Sequence, residues 1–424
     1  MLDMKKCIII VFLLFACFSG FAQLRIEDCY EKARVNYPLI KQYGLIEQAK
    51  EYNLSLLSKA YLPQIQLAAK ATYQSDVTKI PIDASKLGIP IEFPELTKDQ
   101  YGATLEVNQL IWDGGVINAK QNSIRAKSEA EEMSLEVSLY AVRERVNQLF
   151  FGILLCDAMA EQNRLFSDEL QRTFTQIASL MKGGLANQAD LDAVRVEQLK
   201  VKQGLTQIQS NRASFLEMLS AFIGEKINSE TKLIQPAVTP SASRAIQRPE
   251  LAMFDAQRLS LDIAKKEIEA DLMPKVGIFL TSGYGKPGLN MLKNEFAPYY
   301  IGGIRMSWNF GNFYTRKNRL SLLESNQNAI QVQLETFLFN TKLNQTGKEI
   351  EINKYRELLQ TDDEIISLRN SVKRSSESKV QNGTLTAIDL MRDITNEQIS
   401  RQDKIVHEIE MMQAIYTLKY LINN

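Results

Sequence analysis

The sequence has one histidine, His407, and four cysteines, two of which, Cys7 and Cys17, fall in its first 22 residues. That leaves little material for a metal site or for histidine-based catalysis. Net charge is also missing: 50 basic and 50 acidic residues balance, without the basic surplus of a nucleic-acid binder. No segment after the amino-terminal one offers 18 apolar residues in succession, so no transmembrane helix is expected in the mature chain. Proline is absent from residues 95–235 and again from 299–424, although 11 occur in the chain. One interior proline costs a helix about 3 kcal/mol, so two such tracts read as helix under constraint.

What is present begins with a leader. Lys5 and Lys6 precede an apolar run from Cys7 to Phe18, and Gly20-Phe21-Ala22 ends in a small residue. This predicts residues 1–22 as a signal peptide, with a mature start near Gln23. Leu14-Phe15-Ala16 before Cys17 also loosely resembles a lipobox, which leaves a lipidated Cys17 open. Cys29 and Cys156 remain in the mature chain, each in a helical pattern, and burial as free thiols is expected over a disulfide.

The mature chain then says nearly the same thing twice. Tyr101 to Gly184 and Tyr300 to Gly383 are equal intervals of 83 residues (184 − 101 and 383 − 300), and each glycine is followed six positions later by Asp-Leu, at Asp190 and Asp389. Upstream, Tyr61 to Tyr73 pairs with Leu272 to Tyr284, with Pro63 and Pro274 in register. A duplication of this length is a structural statement before it is a functional one. It divides the chain into a first repeat (23–224), a linker (225–247) and a second repeat (248–424).

Within each repeat two periods alternate. Leu135, Leu139, Val142, Val146, Leu149, Ile153, Cys156 and Ala160 step by four and three, the pattern of helices packed along a shallow supercoil. If 116–181 is one helix it extends about 100 Å. Gly183-Gly184 ends it, and a second helix from about Asn187 to Ile223 returns antiparallel. Asn382-Gly383 does the same in the second repeat, with Ile405, Ile409, Met412 and Tyr416 as the returning stripe. His407 falls between stripe positions and reads as a solvated or partly covered side chain, not a ligand.

The other period is two. Four segments, about 64–74, 101–111, 275–285 and 300–310, alternate apolar with mostly polar residues over ten positions; in the last, Tyr300 to Phe310 form the apolar series. Length and dyad suit an outer-membrane barrel, the alternative being a pair of ordinary hairpins with one buried face. Tyr73, Tyr101, Trp112, Tyr284, Tyr299, Tyr300 and Trp308 near the strand ends suit a membrane interface. Strands in lipid must close, four strands cannot, and the chain must then oligomerise.

At this point the residues resemble a known family, the TolC-like outer membrane efflux proteins. Ile26 to Tyr52, with its Asn-Tyr-Pro, is similar to the family's opening helix; Arg248 to Gly285, with Arg-Pro-Glu-Leu, to the start of its second repeat; and Ile111 to Gly115 to the Asp-Gly-Gly turn from barrel to helix. The resemblance covers about Leu24 to Leu421 and implies an α+β membrane protein. Its fold would be a trimeric 12-stranded β-barrel, four strands per chain, continued by a long antiparallel α-helical barrel built from the two repeats. It implies docking of a periplasmic adaptor at the hairpin tips, Gly184, Leu185 and Ala186 with Gly383, Thr384 and Leu385. It also implies a pore entrance at Asp389, with Asp190 as its counterpart. This chain departs from the family where Arg392 stands in place of a second acidic ring.

The function so implied is an outer-membrane exit channel of a tripartite efflux pump or type I secretion system. Its partners would be two further copies, the adaptor, an inner-membrane transporter and outer-membrane lipid, with no nucleic acid, cofactor, metal or bond chemistry. A periplasmic coiled-coil structural or adaptor protein without a pore is the other reading.

Overall fold

The computed structural model describes residues 24–78, 96–237 and 244–423. The predicted leader, Cys17 included, and part of the linker lie outside them. In order, the elements are α1 (Ile26–Asn36), α2 (Gln42–Ser58), β1 (Gln64–Tyr73), β2 (Asp99–Trp112), α3 (Val116–Tyr140), α4 (Val142–Lys182) and α5 (Gln188–Ile223). Then come α6 (Pro249–Ala270), β3 (Lys275–Lys286), β4 (Ala297–Ser307), α7 (Gly311–Gln381) and α8 (Ala387–Ile422). They gather in two compact units that do not follow the sequence repeats. One takes the chain up to Gln42, Ser134–Leu251 and everything from Glu335; the other takes Tyr43–Met133 and Ala252–Leu334.

The first unit is helical. Its larger core joins Ile26, Cys29 and Ala33 of α1 to Val146, Phe150, Phe151 and Ile153 of α4, Leu216 and Leu219 of α5, and Met412 and Tyr416 of α8. Phe150 and Phe151 are fully enclosed and meet edge to face at 6.0 Å; each contributes roughly 1.5–3 kcal/mol by burial. Cys29 and Cys156 are buried free thiols, and burial pushes the Cys29 thiol up to about 12. His407 is half-buried, its Nδ1 2.7 Å from Asp362 Oδ2. The expected single helix over 116–181 is instead two, divided at Ala141. That residue keeps helical dihedrals (φ −61°, ψ −19°) and still donates to the Val137 carbonyl at 3.1 Å, so the division is one of hydrogen-bond pattern, not of chain direction.

The second unit holds one antiparallel sheet of order β1-β2-β3-β4. No helix among the described residues is long and apolar enough to cross a membrane. Strand four ends at Ser307, three residues before the expected limit, because the chain is already turning. The Trp308 indole donates to the Leu272 carbonyl (2.9 Å) and the Asn309 side chain accepts from the Gly311 N–H (3.0 Å) to open α7. Trp308 and Phe310 therefore belong to the connector, not to the strand's alternation.

Candidate functional site

The two hairpin tips are built alike. Helix α4 ends as the Leu185 N–H reaches back to the Leu180 carbonyl (2.9 Å) and the Gly184 N–H to that of Met181 (3.1 Å). Helix α7 ends in the same way, Thr384 to Lys379 (2.9 Å) and Gly383 to Val380 (3.0 Å). Both bonds require the left-handed residue that glycine supplies, and Gly184 (φ +76°) and Gly383 (φ +70°) supply it. Helices α5 and α8 then return over 36 residues each. They end at equivalent left-handed positions, Gly224 (φ 71°) and Asn423 (φ 56°).

Of the six tip residues, Gly184, Leu185, Gly383 and Thr384 are exposed, while Ala186 and Leu385 pack against a buried cluster. That cluster draws Leu170 and Ile177 from α4, Val194 from α5, Val380 from α7, and Leu390 and Ile394 from α8. A Cβ on Gly383 would lie 3.6 Å from Leu185 Cδ2, so the two tips touch.

The two equivalent aspartates differ. Asp190 is buried and closes a capping box: its carboxylate accepts from the Asn187 N–H (2.9 Å) and the Asn187 side chain accepts from the Asp190 N–H (3.1 Å). Asp389 is more open. It accepts from the Thr386 hydroxyl (2.7 Å), and its other oxygen lies 3.3 Å from the Arg392 guanidinium.

Sequence reading missed a charged knot above the tips. Lys373 of α7 donates to Glu169 of α4 (2.7 Å) and Glu397 of α8 (2.6 Å), and Arg401 donates to the second Glu397 oxygen (2.6 Å). Burial alone would raise the Glu397 carboxyl, but Lys373 and Arg401 outweigh it and hold it below the ordinary glutamate value. Period and spacing gave no sign of this knot, because its members come from three helices far apart in sequence.

In the sheet, register sorts the faces. Ile65, Leu67 and Tyr73 of β1 share a face with Tyr101, Leu105 and Val107 of β2, Ile278, Leu280 and Tyr284 of β3, and Tyr300, Ile304 and Met306 of β4. The other face carries Gln66, Lys70, Glu106, Asn108, Thr281 and Arg305. Along β3 the apolar residues Ile278, Leu280 and Tyr284 are exposed while Phe279, Thr281 and Gly283 are half-buried, the reverse of a sheet that hides its apolar side in a core. Tyr73, Tyr101, Tyr284 and Tyr300 fall toward the loop-side end of the sheet. Trp112, set opposite Val276 by a bulge at Ile111, falls at the helix-side end, with Trp308 just past β4. Phe296, which the sequence did not single out, stacks on Tyr284 (5.6 Å) and Tyr101 (6.4 Å). Both outer strands, β1 and β4, have one edge unpaired among the described residues.

A sheet with an exposed apolar face and open edges, in a chain that also forms long helical hairpins, is the pattern expected of the outer-membrane channel class. Residues 29–225 match the family model described as outer membrane efflux protein. The fold is similar to that of the outer-membrane channel OprN (TM-score 0.69, 13% identity, covering 94% of this chain and 89% of that one). It is also similar to the Campylobacter jejuni CmeC outer membrane channel (TM-score 0.64, 10% identity, 96% and 87% covered). The open state of the Neisseria gonorrhoeae MtrE outer membrane channel matches as well (TM-score 0.67, 10% identity, 94% and 89% covered). No curated protein sequence is significantly similar to the chain. The resemblance to TolC-like outer membrane efflux proteins is thus shown by a sequence match over the first repeat and by a shared fold over nearly the whole chain.

Proposed function

We propose that the chain is a passive exit duct in the outer membrane. Three copies would close a 12-stranded barrel through the free edges of β1 and β4, and their helices would form a channel reaching into the periplasm. The observation that carries this reading is the sheet's exposed apolar face, clearest along β3, where Ile278, Leu280 and Tyr284 are open while Phe279, Thr281 and Gly283 are half-buried. Such a surface is stable against lipid and costly against water, and its unpaired edges must meet other strands in a membrane. The same face tells against a soluble periplasmic adaptor.

In this reading the tips, with Gly184, Leu185, Gly383 and Thr384 outermost, meet a periplasmic adaptor that couples the duct to an inner-membrane transporter. Cargo would be small molecules, metals or polypeptides chosen mainly by that transporter. Asp389 lines the entrance, and three copies around a narrow axis concentrate cations. Arg392, 3.3 Å away, partly offsets that charge. No bond chemistry is involved.

Single-channel recording of the purified protein in a planar bilayer tests the reading: a verified trimer that forms no pores refutes it. In the same recordings Asp389→Asn should weaken cation preference and Arg392→Gln strengthen it. Unchanged reversal potentials in both would remove Asp389 from the entrance.

A further inference from the structure

The polar face of the sheet carries two aromatic residues, Tyr299 and Phe279, and each lies directly opposite a glycine: Tyr299 pairs with Gly283, and Phe279 with Gly303. These rings fill the space that a side chain on the facing residue would take. A Cβ on Gly283 would come within 2.5 Å of Tyr299 Cζ and 2.6 Å of its hydroxyl oxygen; one on Gly303 would come within 3.1 Å of Phe279 Cε1. The rings are therefore folded down across their glycines against the sheet. Above Phe279 the Arg305 guanidinium sits 4.6 Å from the ring centroid, and its other neighbour is Glu106 at 4.0 Å. Phe279 is thus held between a glycine and a cation. On the opposite, apolar face, a Cβ on Gly302 would meet nothing closer than 3.5 Å, so the tight seat belongs to the polar face.

We infer that Gly283 and Gly303 set the bore of the barrel by seating Tyr299 and Phe279 flat on its inner wall; this rests on the pore reading above. A ring lying on the wall narrows the lumen by its thickness, whereas one forced upright reaches inward by its length. In a closed trimer each position recurs three times around one level, so a single methyl group at either glycine is amplified into a ring of three raised aromatics. The two residues that keep the bore wide at these levels then have no side chain of their own.

Thr281 lies on the same face, between Gly283 and Phe279 along β3, so a solute entering from the loop-side mouth passes the Tyr299 level before reaching it. A Thr281→Cys reporter, in a chain whose Cys29 and Cys156 are buried, is exposed from that side to maleimide-polyethylene glycols of graded mass, with the full-length protein reconstituted in liposomes. Adding Gly283→Ala should move the cut-off to smaller polymers and slow labelling near it severalfold. Adding Tyr299→Ala as well should restore the original cut-off, and Gly302→Ala should leave it unchanged. If Gly283→Ala disturbs assembly, Gly303→Ala, whose Cβ needs a smaller shift of Phe279, gives the same comparison with the reporter moved past the Phe279 level on the same face, to Ser307→Cys. A normal trimer with an identical cut-off in both glycine variants overturns the inference alone. A reporter that no water-soluble maleimide reaches, in protein that conducts no ions, overturns the pore reading itself.

Discussion

Lys373 is the residue whose loss should be felt most at the tips. Its side chain is 12% exposed and holds Glu397, which is 2% exposed, together with Glu169. Removing one member of a buried ion pair costs about 3–5 kcal/mol, because the partner's charge stays in a place water cannot reach. Arg401 still faces Glu397 at 2.6 Å after the change, which puts Lys373→Met near the lower figure. At about 1.4 kcal/mol per factor of ten, that is roughly a hundredfold increase in local opening. Hydrogen exchange of the α8 backbone between Leu390 and Arg401, in the assembled protein, reads it directly. A second variant separates charge from packing: Lys373→Met with Glu397→Leu removes the stranded carboxylate and should recover most of the protection, since a well-packed apolar pair replaces a buried ionic one at little cost. A threefold change or less in Lys373→Met, the scale of an exposed ion pair, would refute the argument, as would a double variant that exchanges as fast as the single one.

Two further outcomes follow from the same region. Because the Glu397 carboxyl is held below its ordinary value of 4.5, its contribution to stability is complete above that value and is lost as pH falls through the lower folded one. Acid should therefore loosen Leu390–Arg401 in the parent protein, and Glu397→Gln, already weakened at neutral pH, should show a flatter profile by hydrogen exchange. Gly184→Ala and Gly383→Ala each place a side chain at a φ above +70° or at it, costing about 1–2 kcal/mol. Thermal unfolding should show the loss in both, with Asn better tolerated than Ala at either site; an unchanged melting temperature would mean that the tips do not depend on the left-handed turn.

Much of the architecture could be read before any coordinates. The proline-free tracts, the four-three stripe from Leu135 to Cys156 and the paired glycines at 184 and 383 locate the helical hairpins, because helix period and turn chemistry act over a few residues. The alternation from Ile65 to Tyr73 and from Lys275 to Tyr284 likewise separates the two faces of the sheet. Less could be read where the chain changes period. Around Trp308 an apolar alternation runs on past Ser307 although the strand has ended, since a hydrogen bond from the Gly311 N–H to the Asn309 side chain, not hydrophobicity, starts the helix.

The sequence by itself determined the elements, their duplication and which face of each strand is apolar, all consequences of short-range order along one chain. Only the tertiary structure decided who faces whom. It made Asp190 a buried cap and left Asp389 open beside Arg392, although the two are equivalent by repeat. It brought Glu169, Lys373 and Glu397 together from three helices. It set Tyr299 on Gly283 and Phe279 on Gly303. Each of these depends on register between separate elements, which is fixed by the packing of whole surfaces and leaves no periodic trace in the chain.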